Sequence, residues 1–224
     1  MANAFGTIAT TGESSVVADA DPDTLNLVEG HGLGVTHDAA TDTITVATAS
    51  PYAAKHDANT RVVSLLSTDA LAALALAANI LYVTPIAITK RTTFTRIGIQ
   101  VSTAGAAGAN IRLGIYNNST NHQPGTLVLD AGEIDASTTG TKEITISQSL
   151  RPGLYWLAAA NELAPSVNGY GVTDIIPILG YDTANARIAR LTRAFTYAVL
   201  PADESAATYT QGTAASPIIW LRVA

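Results

Sequence analysis

The sequence predicts an all-β protein: an elongated, intertwined trimeric β-stalk followed by a jelly-roll β-sandwich head. Three observations carry this reading. Apolar and polar residues alternate over many short runs, as in IRLGIY (111–116) and EITIS (143–147). Alternation with period two is the mark of a strand buried on one face. The runs are separated by Gly, Pro, Asn, Asp and Ser, the residues that turns require. No helical period of 3.6 residues is sustained outside LAALALAA (71–78), where alternation fits too.

The first fifty of the 224 residues hold few large apolar side chains. They still alternate. Leu25 pairs in phase with Leu27, Leu33 with Val35, and Ile44 with Val46. Turn chemistry separates the three runs at DADPD (19–23), EGHG (29–32) and DAATD (38–42). A ribbon with two inward residues per strand has no partner of its own to hide them against. Three copies wound about one axis would bury all six positions in a thin shared core. Residues 1–50 are therefore expected to form a homotrimeric shaft. The alternative is a small hairpin resting on the head, and isolated short hairpins are marginal in water.

Residues 51–73 change character. Pro51 interrupts the preceding strand, and charged and small residues follow without period. This stretch is expected to be a neck. From Leu74 the head begins, spanning 74–224. The apolar run 71–88 is broken by Asn79, Thr84 and Pro85. It is expected to form two core strands, since a membrane span needs about 20 uninterrupted apolar residues. Further strands are expected at 95–101, 111–116, 127–129, 144–146, 154–160, 171–180, 194–200 and 217–223. Core candidates are Ile111, Leu113, Ile115, Leu127, Leu129, Ile144 and Ile146, with Trp220 and at least one of Tyr155 and Trp156.

Composition narrows the function. Only 13% of residues are charged and the net charge is −6. Nucleic-acid surfaces need clustered Lys and Arg, so no nucleic-acid partner is expected. No cysteine is present, which removes thiol catalysis, disulfides and Cys-ligated zinc. The start of the chain has neither a basic segment nor a long apolar one, so no secretory signal is expected.

Five phrases of the head carry a resemblance: TFTRIGIQV (93–101), RLGIYN (112–117), PGTLVLDAG (124–132), TGTKEITIS (139–147) and LRPGLYWLA (150–158). In this order they resemble the C-terminal jelly-roll domain of bacteriophage fibre proteins. DTLNLVEGHGLGV (23–35) and DTITV (42–46) resemble fibre shaft repeats. The resemblance implies a trimeric head or tail fibre on the virion surface. It would attach to other virion proteins through its N-terminus and adsorb to host surface polysaccharide through its head. It implies no catalytic motif, no cofactor and no membrane insertion. A capsid decoration protein without a receptor, and a carbohydrate-active enzyme or binding module, are the alternatives.

The four histidines form no metal-ligating spacing. Asp130, Glu133 and Asp135 are the residues from which a glycosidase carboxylate pair would be drawn, although solvated strand ends explain them equally well. Sugars are held by stacking and by amide and hydroxyl partners. The amide-rich loop 117–123, with Asn117, Asn118 and Asn121, is therefore a candidate glycan contact. Tyr170, Tyr181, Asp182 and Asn185 are candidates in the less regular C-terminal third. A solvated hairpin end and half-buried tyrosines are the plainer readings of the same residues.

Overall fold

The structure is a computed structural model that describes residues 58–63, 71–171, 179, 188–213 and 215–224 in full. Before residue 49 it describes the backbone of four strands. The chain divides into two compact units, Met1–Tyr52 and Ala53–Ala224.

In the first unit β1 (Thr7–Ile8) pairs with β2 (Val16–Val17), and β3 (Leu33–Asp38) with β4 (Thr43–Thr48), both antiparallel. Val35 lies opposite Val46, Leu33 opposite Thr48 and His37 opposite Ile44. Residues directly opposite share a face, so this register puts Leu33, Val35, Ile44 and Val46 on one face of the ribbon. Leu25 and Leu27 lie outside the described residues.

The second unit consists of two antiparallel sheets around a common apolar core, the layering of a β-sandwich. Its strands are β5 (Arg61–Val63), β6 (Ala72–Ala75), β7 (Ile80–Ile88), β8 (Thr92–Thr103) and β9 (Asn110–Asn118). Then follow β10 (Pro124–Asp135), β11 (Gly140–Leu150), β12 (Gly153–Asn161) and β13 (Ser166–Tyr170). The last are β14 (Arg190–Ala194), β15 (Thr210–Gly212), β16 (Ser216–Pro217) and β17 (Ile219–Val223). One sheet runs β10-β9-β12-β7-β14-β15. The other is organised on β8, which pairs with β11, β13 and β17, with β5, β6 and β16 beyond them.

The expected inward positions of β9 are realised, and β8 follows the same alternation. Ile97, Ile99 and Val101 face Ile111, Leu113 and Ile115 in the core, and all six are fully buried. The run 71–88 forms two strands, β6 and β7, around a turn in which Asn79 takes a positive φ of 56°. β5 lies within the expected neck, yet it pairs with β17 and buries Val62 in the sandwich core. That pairing is non-local, so no local pattern announces it.

Bulges account for most departures from simple alternation. On β8, Arg96 and Phe94 face the successive residues Arg222 and Val223 of β17, which leaves Thr95 as the extra residue. The slip reverses parity, and Phe94 enters the core beside Ile97. On β10, Leu127 and Leu129 face the successive residues Tyr116 and Ile115. The two leucines, expected on one face, therefore lie on opposite faces. Leu129 packs on the core between the sheets, and Leu127 on the outer cluster described below. Ile144 and Ile146 are only half-buried, because β11 borders the sheet and pairs on one side alone. The segment 194–200, expected as a strand, is irregular beyond Ala194.

Trp220 is buried, but not in the core between the sheets. It lies across Gly98, where a Cβ would stand 2.7 Å from the indole Nε1. The Arg61 guanidinium covers the ring at 4.3 Å, and Nε1 donates to Glu143 at 3.0 Å. Glu143 is itself paired with Arg61 and Arg222. A cation over an indole face is favourable, so a charged side chain closes this part of the sheet.

Candidate functional site: a cleft on the outer face of the six-stranded sheet

The six-stranded sheet is buried on both faces. Its outer face holds a second apolar cluster, built on Leu81, Val83, Tyr116, Trp156, Ala158 and Ala160. Cross-strand register explains the choice of residues. Trp156 lies opposite Tyr116, Ala158 opposite Gly114 and Ala160 opposite Arg112. The row is large at one end and small in the middle. The small residues leave room for Leu200, which occupies the space a Cβ at Gly114 would need.

Leu200 belongs to the connection from β14 to β15, residues 195–209, which lies over this face like a strap. Backbone groups fasten it. Leu127 N donates to Ala202 O and Glu204 N to Gly125 O, both at 2.9 Å. The Tyr116 hydroxyl donates to Pro201 O at 3.0 Å. Gln123 Nε2 donates to Ser205 O and Ala207 O at 3.2 Å. Beneath the strap Glu204, only 2% exposed, is paired with both Nε and Nη2 of Arg193 and accepts from the Tyr209 hydroxyl at 2.8 Å. The hydrogen bond from Arg193 to Glu204 raises the guanidinium pKa.

The carboxylates weighed as a catalytic pair are engaged in the same construction. Asp130 and Glu133 are three apart and would face opposite sides of a regular strand. A bulge at Ala131, with Gly132 at φ +93°, brings both to the outer face. Glycine takes that φ without steric cost. Arg112 then donates from Nε to both oxygens of Asp130 at 2.9 Å and from Nη1 to Glu133 at 2.8 Å. Asp130 also accepts from the backbone N–H groups of Gly132 and Leu200, each at 3.1 Å. Asp135 turns the chain at the end of β10. It accepts from the hydroxyl and the backbone N–H of Ser137, and these bonds lower its pKa. Asp130 and Glu133 pair with Arg112, Asp135 holds the turn at Ser137, and Asp130 has its acceptor positions filled.

Beside the strap a cleft of about 350 Å³ opens on the outer face. Leu154, Leu179, Ile188 and Leu191 form its apolar floor. Asn121, His122 and Gln211 supply polar groups at its rim. The volume falls within the range of small-ligand sites, about 300–1,000 Å³. Asn121 and His122 sit in the β9–β10 turn, closed by Ser119 N to Gln123 O at 2.8 Å and His122 N to Ser119 O at 3.1 Å. His122 adopts φ 54°. That region is uncommon for residues other than glycine, with His, Asn and Asp enriched there. Strained backbone of this kind concentrates at functional sites. Gln211 reaches the cleft because β15 pairs it with Leu191.

Of the expected contact residues, Asn121 lines the cleft. Asn117 and Asn118 support its turn instead. Asn117 Nδ2 donates to Thr126 Oγ1 at 2.9 Å, and Asn118 Oδ1 accepts from Trp156 Nε1 at 3.0 Å. Tyr170 is half-buried in β13, in the other sheet, and is not brought to the cleft. Tyr181, Asp182 and Asn185 lie outside the described residues. Sequence reasoning missed Leu154, Leu191 and Gln211 as a set. They come from three strands, and only the shared sheet joins them.

Three tyrosines around the strap have pKa values raised well above the ordinary tyrosine range. Burial is the main cause for Tyr116, Tyr197 and Tyr209. The carboxylate of Glu204 adds to it for Tyr116 and Tyr209, and that of Glu133 for Tyr197. A phenol whose folded pKa is raised favours the folded state fully below its unfolded pKa of about 10. That contribution is lost as pH climbs through the raised values. Spectrophotometric titration is expected to show Tyr116, Tyr197 and Tyr209 ionising only well above the ordinary tyrosine range and together with loss of the fold. Ionisation of all eight tyrosines in one step on the intact fold would contradict this.

No protein-family model matches the chain, and no curated protein matches it.

Proposed function

We propose that the chain is a structural phage virion protein, a short trimeric head or tail fibre whose jelly-roll head adsorbs to host cell-surface glycan. The observation that carries the binding part is the cleft, where amide and imidazole groups stand over an apolar floor on a sheet held rigid from both sides. Sites built on sheets hold their geometry better than sites built on free loops. The fibre part is supported by the resemblance of the sequence to shaft repeats and by the register of β3 and β4, which places Leu33, Val35, Ile44 and Val46 on one face of the ribbon with His37 and Thr48. In this reading three ribbons share that face in a thin axial core, so folding and association are one process. Attachment to the virion is through the N-terminus.

The test uses the full chain. Light scattering is expected to give a trimer, and the fluorescently labelled protein is expected to bind cells of a susceptible bacterial strain. Enzymatic removal of surface polysaccharide is expected to abolish that binding. A monomer in solution overturns the shaft. A trimer that binds no strain in a broad bacterial panel overturns the receptor role and favours a decoration protein. Turnover of the polysaccharide by the protein favours an enzyme.

A further inference from the structure

We infer that the cleft recognises an acetamido sugar, a hexose carrying an N-acetyl group, with the acetyl methyl on the aliphatic floor. This rests on the glycan reading above and narrows it to one ligand chemistry. Two features of the lining support that class.

First, the floor is aliphatic. Leu154, Ile188 and Leu191 offer branched methyl surfaces. A bare hexose uses its flat C–H face, which suits an aromatic platform. A compact methyl group suits a leucine and isoleucine floor.

Second, the rim carries carboxamides. Asn121 and Gln211 each present two N–H donors and a carbonyl acceptor. An acetamido group presents one N–H and one carbonyl beside its methyl, so the same groups complement both halves of the amide. Asn121 and Gln211 are exposed and appear in no hydrogen bond that fastens the strap. A hydroxyl in place of the acetamido group would leave the floor uncovered. The discrimination available from one small apolar group in such a pocket is about 10- to 200-fold.

The experiment is saturation-transfer NMR and titration of the full chain with methyl glycosides of N-acetylglucosamine, N-acetylgalactosamine and N-acetylmannosamine, each beside its parent hexose. At least one acetamido sugar is expected to bind roughly tenfold or more tightly than its parent, with the strongest transfer at the acetyl methyl. Asn121→Ala and Gln211→Ala, both at exposed positions, are expected to weaken it severalfold while thermal unfolding stays unchanged. Leu191→Asn is expected to abolish it, with Lys90→Ala as an exposed control that leaves it intact. Equal binding of parent and acetamido sugars overturns this inference and leaves the glycan reading standing. Binding of no sugar, together with polysaccharide-dependent adsorption to cells, likewise overturns only the inference. Absence of both overturns both.

Discussion

Glu204→Ala is expected to lower the unfolding free energy by about 3–5 kcal/mol, the usual cost of removing one partner from a buried ion pair. Glu204 is 2% exposed, and it satisfies both Arg193 and the Tyr209 hydroxyl. Its loss leaves a guanidinium under the strap with no opposite charge, and a phenol without its acceptor. The strap then keeps its bonds to Leu127, Gly125, Tyr116, Gln123 and Asp130 but loses its buried anchor, so its local opening is expected to rise with the global loss. Urea unfolding measures the first effect and hydrogen exchange at Leu127 and Glu204 the second, since both amides bond across the strap. The double substitution Arg193→Leu, Glu204→Leu is expected to be less destabilised than Glu204→Ala. It removes the uncompensated charge together with its partner. Equal losses in the two variants would mean that shape and not charge dominates here.

Trp156→Ala is expected to cost about 3–5 kcal/mol, the range for truncating a large buried aromatic. Trp156 is fully buried in the outer cluster between Tyr116 and Pro85 on the neighbouring strands. The substitution also removes the N–H that Asn118 accepts. Asn118 ends β9, directly before the turn that carries Asn121 and His122. A second consequence therefore follows at the cleft: ligand affinity is expected to fall even at temperatures where the variant is fully folded. Trp156→Phe separates the two effects. It keeps much of the volume and loses only the hydrogen bond, at about 1–3 kcal/mol for the unsatisfied acceptor. Calorimetric unfolding and sugar titration on both variants check the two effects. Unchanged affinity in a folded Trp156→Ala variant would disconnect the tryptophan from the turn.

These two residues also show how far the sequence could be read. Alternation around Trp156 established that Tyr155 and Trp156 face opposite sides, and they do: Tyr155 packs on the core between the sheets and Trp156 on the outer cluster. Nothing local indicated that both sides would be covered. Glu204 gave no signal at all. It stands in ADESAAT (202–208), a polar stretch that reads as an exposed loop. Its burial follows from Arg193 and Tyr209 closing over it, and each pairing depends on where β14 and β15 lie. Asp130 and Glu133 were visible as carboxylates. Their sharing of Arg112 depends on a one-residue bulge, and a bulge reverses which face a side chain joins.

The candidate site divides in the same way. The turn 117–123 was legible as an amide-rich loop, because Asn, Ser, Thr and Gln cannot build a core and must face solvent or one another. The floor was not legible. Leu154, Ile188 and Leu191 are ordinary apolar residues in their own segments. By itself the sequence determined the all-β class, the alternation of the central strands and the core positions Ile111, Leu113 and Ile115. All of these depend on neighbours two residues away. Only the tertiary structure decided which strands lie side by side, where bulges reverse a face, and that the chain returns across the outer face of the six-stranded sheet. Those outcomes depend on contacts between residues far apart in the chain, and such contacts leave no local period to read.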